Sequence, residues 1–147
     1  MATVFQSETC GRCAGSGHYS RNSRGSTLCY DCGGAKVRLT KIGLKAEARC
    51  IEIQTRLAST VKAGDNVWYA PYLGRARWMW VHEIIERGNG MFDIRHNDGL
   101  MVCTEETKVR TVRNEEDRQQ TIAAALEYQN TLIAKQAKRA ATKEKAA

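Results

Sequence analysis

The chain has 147 residues, of which 42% are hydrophobic and 27% charged, with a formal net charge of +7. That composition is globular rather than disordered, and the length suffices for one ordinary domain or two small ones. The longest apolar runs fall far short of the roughly 20 residues that cross a bilayer, and residues 1–9 lack the basic and apolar regions of a signal peptide. The expectation is a cytoplasmic chain with no membrane partner, whose cysteines stay reduced.

The first element in chain order is "CGRCAGSGHYSRNSRGSTLCYDC", which carries four of the six cysteines. Cys10, Cys13, Cys29 and Cys32 read C-x2-C-x15-C-x2-C, within the spacing of a zinc ribbon. Two residues between cysteines let the backbone turn so that both sulfurs reach one ion, and two such turns complete a closed tetrahedral shell. The cofactor expected is one structural Zn2+, which would fold a segment whose only sizeable apolar residues between the pairs are Tyr19 and Leu28. A redox C-x-x-C would need one pair at the start of a helix after a strand. Disulfides would suit a secreted chain, and His18 would be surplus to a shell of four thiolates.

"CGRCAGSG" at 10–17 resembles the C-x-x-C-x-G-x-G repeat of the cysteine-rich zinc domain of DnaJ-type co-chaperones. "CYDCGGAK" at 29–36 resembles it less closely, because Lys36 stands where the last glycine would be. That family has four repeats and two zinc sites; two repeats imply one. With no J-domain and no "HPD" tripeptide, the resemblance implies a zinc fold and a binding role but no co-chaperone activity. The shortened repeat pair also resembles that of small phage-encoded proteins, which would place the chain in a host cytoplasm.

Thr40 is a candidate N-cap, and Leu44, Ala48, Ile51, Thr55 and Ala58 recur at helical spacing, predicting a helix over about 41–59. "CIEI" at 50–53 alternates, so a strand competes there. Cys50 reads as a buried structural cysteine. From residue 61 the pattern changes to short strands: "VKAGDNVWYA", "ARWMWVHEII", "MFDIRH", "LMVC" and "KVRTV", linked by the turn sequences "ERGNG" and "NDG". Five strands in about 50 residues predict a small barrel, and "VKAGDNV" resembles the opening of SH3-like barrels of the Tudor and KOW kind. Trp68, Tyr72, Trp78 and Trp80 are candidate peptide-binding aromatics, as a cage for a methylated lysine or a groove for an extended peptide. The competing reading assigns these rings to the barrel's core and ends.

Asn114 caps a last helix with Glu115, Glu116 and Asp117 at its positive end and Lys135, Lys138, Arg139, Lys143 and Lys145 at the other. Ile122, Leu126, Leu132 and Ile133 form a narrow stripe that could dock on the barrel or pair with another copy. The final dozen residues are expected to fray. The resulting fold class is α+β: a zinc ribbon over 1–38, a connecting helix over 39–60, an SH3-like β-barrel over 61–113 and a C-terminal helix with a basic tail over 114–147.

Along the chain the charge excess is +3 in residues 1–38, +3 in 39–63, zero in 64–113 and +1 in 114–147. The expected function is non-enzymatic: nucleic-acid binding through Arg12, Arg21, Arg24, Lys36, Arg38, Lys41 and Lys45, with Tyr19 and Tyr30 able to stack on bases. The partner is nucleic acid or a protein that handles it. The alternative is a protein-binding adaptor or inhibitor that uses the aromatic barrel and last helix. No nucleophile with a base, phosphate loop or carboxylate pair stands out.

Overall fold

The computed structural model describes residues 4–19, 27–69 and 76–145. It is a mixed α+β chain in two compact units, residues 1–49 with 125–147 and residues 50–124. The division falls inside both helices, α1 (Lys41–Gln54) and α2 (Glu115–Lys145). No described helix is long and apolar enough to cross a membrane.

In the first unit β1 (Ser7–Thr9) pairs antiparallel with β4 (Val37–Leu39), and β2 (His18–Tyr19) with β3 (Thr27–Leu28). Helix α1 starts where the cap residue was expected: the Gly43 N–H donates to Thr40 Oγ1 at 3.1 Å. The chain ahead of β1 lies against this first turn. Thr40 N–H donates to the Gln6 carbonyl at 3.1 Å, and a Cβ on the buried Gly43 would run into the same oxygen. Gln6 N–H in turn donates to Oε1 of the buried Gln129 on α2, at 2.7 Å. Apart from cysteines, the buried apolar side chains described in this unit are Ala46 and Ala125. Two alanines make no hydrophobic core.

The second unit is an antiparallel sheet in the order β5-β10-β6-β7-β8-β9. Its strands are β5 (Thr55–Leu57), β6 (Asn66–Tyr69), β7 (Arg77–Gly88), β8 (Met91–His96), β9 (Gly99–Thr104) and β10 (Lys108–Val112). The five strands read from alternation are present, but the sheet does not close into the expected barrel; it keeps β5 and β9 as edges. The sixth strand comes from the predicted helix, which stops at Gln54 rather than 59. Residues 55–57 pair with β10, and Ala58 and Val61, which continue the helical spacing, are buried in the sheet's core. The β7–β8 hairpin turns on Asn89 and Gly90, both at positive φ (54° and 70°), as a two-residue type I′ turn requires.

The core of this unit is aliphatic: Ala58, Val61, Val67, Met79, Val81, Ile94, Cys103 and Val109, with Tyr69, Ile84 and Met101 packed against it. Met79 and Val81 point inward, so Trp78 and Trp80 take the other face of β7, as period-two alternation demands. On that face Arg110 Nε donates to Gln54 Oε1 at 2.7 Å, and Gln54 Nε2 donates to Thr121 Oγ1 at 2.8 Å. Asp117 meets Arg56 at 3.3 Å and accepts the Arg113 N–H at 2.9 Å. Helix α2 is capped by Asn114 and continues to Lys145 through the alanine- and lysine-rich stretch expected to fray.

Candidate metal centre

The four sulfurs of Cys10, Cys13, Cys29 and Cys32 all lie within 4.8 Å of one another. Cys10 Sγ is 3.8 Å from Cys29 Sγ, and Cys13 Sγ is 3.7 Å from Cys32 Sγ. A disulfide would need about 2.05 Å. Metal–sulfur bonds of about 2.3 Å, as zinc makes, set the edge of a regular tetrahedron at about 3.8 Å. The donor set therefore fits a tetrahedral, thiophilic divalent ion such as zinc. Cys10 and Cys29 are fully buried and Cys13 nearly so, while Cys32 is half-buried. All six cysteines are free thiols, and Cys50 is buried, as expected of a structural residue.

The two cysteine pairs are equivalent turns. After Cys13, residues Ala14, Gly15 and Gly17 have φ of 46°, 78° and 80°; after Cys32, Gly33, Gly34 and Lys36 have 56°, 86° and 71°. Ser16 N–H donates to the Cys13 carbonyl at 2.9 Å, and Ala35 N–H to the Cys32 carbonyl at 2.8 Å. The turns also lock each other: Cys10 N–H donates to the Lys36 carbonyl and Cys29 N–H to the Gly17 carbonyl, both at 3.0 Å. The strand entering each turn pairs with the strand leaving the other. A Cβ at Gly17 would stand 2.9 Å from the Gly34 carbonyl oxygen.

These turns bias the thiols unequally. Burial, the largest influence on Cys13, pushes its thiol up. The Gly17 N–H, 3.4 Å from Sγ, with the Cys10 and Cys32 thiols and the Gly15 N–H, outweighs burial and holds it down at about 6. The Cys13 backbone N–H favours the Cys10 thiolate, but burial and the thiols of Cys13 and Cys29 push that group up to about 11. The surroundings of Cys13 thus favour the thiolate, the form a metal ligand takes, more than those of Cys10 do. A closed shell of four thiolates has no open position for substrate.

The remaining predicted residues divide by position. The Arg12 guanidinium lies 3.6 Å from the centre of the exposed Tyr30 ring, beside the metal turns. Arg38 is paired with Asp31 at 3.3 Å. Lys36 is exposed. Arg21, Arg24 and Tyr72 lie outside the described residues, as does the Tyr19 side chain. Lys41 and Lys45 line a cleft of about 460 Å³ together with Ile42, Leu132, Lys135, Gln136 and Arg139. Sequence reading placed Lys135 and Arg139 at the C-terminal end of the last helix and did not join them to α1; their i,i+4 spacing, shared by Lys41 and Lys45, was the available signal.

Of the aromatic candidates, Trp68, Trp78 and Trp80 lie among the described residues. Trp68 and Trp78 meet edge to face at 5.4 Å, and Arg110 stands 5.3 and 5.1 Å from their centres, so this chain's own guanidinium supplies the cation. Trp80 is 45% exposed. Compared with protein-family models, curated proteins and solved structures, the chain matches none.

Proposed function

We propose that the chain is a non-enzymatic zinc protein that binds nucleic acid through its metal-bearing unit. The observation that carries this reading is the partition of charge between the units. Residues 1–49 and 125–147 contain 13 basic and 5 acidic side chains, net +8, whereas residues 50–124 contain 10 and 11, net −1. Read along the chain the excess looked diffuse; folding gathers it on one unit. Zinc with four thiolates contributes −2, which leaves about +6 on roughly half the chain, a field that attracts polyphosphate. Arg12 and Tyr30 add a cation and an exposed ring beside the metal turns, a pairing suited to phosphate and base.

On this reading the turns form a DnaJ-like ribbon around zinc. The second unit is an SH3-like sheet in which β10 returns beside β6, the first strand of the meander. The test starts from protein purified without added metal. Zinc per chain is measured, and fluorescent single- and double-stranded DNA and RNA are titrated at two salt concentrations. One zinc per chain and an affinity that falls steeply with salt are expected. Absent or salt-independent binding overturns the reading.

A second reading, a protein-binding adaptor, is favoured by one observation. Leu100 and Val102 are 41% and 48% exposed on the edge strand β9, in the unit that carries no basic excess. A stoichiometric protein partner that survives nuclease treatment would select it.

A further inference from the structure

We infer that the cleft between α1 and the second half of α2 seats consecutive phosphates of a single-stranded nucleic acid, an inference that rests on the nucleic-acid reading above. Lys41 and Lys45 stand one helical turn apart on α1, and Lys135 and Arg139 one turn apart on α2; all four line the same cleft, and no acidic residue does. Among the described residues none of the four forms an ion pair. A cleft of about 460 Å³ is roughly 8 Å across, close to the Debye length at physiological salt, so the charges feel one another. Their repulsion is a cost in the free chain that a bound polyanion removes.

Two further features act in the same direction. Lys41 and Ile42 are the first residues of α1, whose first turn holds no acidic side chain, so the positive end of the helix dipole adds to the lysines. Residues four apart on a helix are separated by about 6 Å along its axis, a step comparable with that between successive phosphates of an extended strand. Ile42 and Leu132 supply apolar wall for a sugar or base. The volume is that of a small-ligand site. A duplex, whose major groove alone is about 12 Å wide, would reach only the rim.

The test uses the zinc-loaded full chain and fluorescent oligonucleotides over a salt series. Lys41→Gln/Lys45→Gln and Lys135→Gln/Arg139→Gln exchange exposed helical cations for a good helix former, and zinc content and circular dichroism confirm folding. Each pair is expected to flatten the slope of log K against log salt for a single strand by about 1.4, at about 0.7 per phosphate contact. Lys62→Gln/Lys108→Gln, which removes the same charge from the second unit, is expected to leave the slope unchanged.

Cleft variants no different from that control overturn the inference while wild-type binding keeps the nucleic-acid reading; a wild type that binds no oligonucleotide overturns both. Equal loss of slope for a duplex overturns the single-strand assignment. So does inorganic tripolyphosphate that needs the cleft cations yet fails to displace the oligonucleotide.

Discussion

In the second metal turn a lysine holds the backbone angle that glycine holds in the first: Lys36 at φ 71° and Gly17 at φ 80°. A left-handed conformation costs an L side chain about 1–2 kcal/mol, and the extra unfolded-state freedom of glycine costs about 0.5–1 kcal/mol. The first is larger, so Lys36→Gly is expected to stabilise the metal-loaded protein by about 0.5–1 kcal/mol in urea unfolding. Gly17→Ala adds to the same strain a Cβ that would stand 2.9 Å from the Gly34 carbonyl oxygen. It is expected to destabilise by about 2 kcal/mol and to weaken zinc retention against a chelator. The sheet unit has its own sensitive residue in His96, 5% exposed, with its ring 4.6 Å from Tyr69. Burial, then the charges of Arg77 and His82, lower its pKa below the usual 6.5. Its Nδ1 accepts the Asp98 N–H at 3.3 Å, a bond that protonation would abolish. Because the folded state favours the neutral ring, this contribution is complete above about pH 6.5 and is lost as pH falls below it. Urea midpoints at pH 7.5 and 5.5 should show that decline in the wild type and a smaller one in His96→Phe.

At the scale of elements, close approach decides what composition cannot. Gly43 sits in the first turn of α1, where alanine would gain about 1 kcal/mol of helix propensity. Its Cβ would meet the Gln6 carbonyl, and backbone cannot rotate aside as a side chain can. Overpacking of this kind costs about 1–3 kcal/mol, so Gly43→Ala is expected to be net destabilising by up to about 2 kcal/mol, measured as a lower urea midpoint. The same contrast explains what was legible in the sequence. Cys10, Cys13, Cys29 and Cys32 announced their geometry because ligand spacing is a local property. The strands from β6 to β10 were legible through period-two alternation and hairpin turns. The end of α1 was not, since Ala58 and Val61 satisfy a helical period while the sheet claims them for its core. Pairing of β1 with β4 left no mark on three-residue strands, because it is set by the metal turns they flank. Trp68 and Trp78 were weighed as core or cage, yet they lie opposite the aliphatic core and hold Arg110. The basic cleft was hidden because its two lysine-bearing turns are distant in sequence and only tertiary structure places them together.

For the whole molecule, the two units depend on different sources of stability. The sheet unit buries eight apolar residues in one cluster. The other unit buries Ala46, Ala125 and three of its four clustered cysteines, so bonds from those thiolates to an ion would supply what a hydrophobic core does elsewhere. The free energy of binding such an ion would then be folding free energy for the two cysteine turns and not for residues 50–124. All three tryptophans belong to the second unit, which makes their emission a report on the sheet alone. Chelation at neutral pH is expected to strip the ion, expose four titratable thiols and abolish oligonucleotide binding, with tryptophan emission nearly unchanged. Returning one equivalent of zinc should restore binding. If chelation instead shifts the emission as far as urea does, the sheet shares its cooperative unit with the metal turns, and the separation of stabilities argued from the two cores fails.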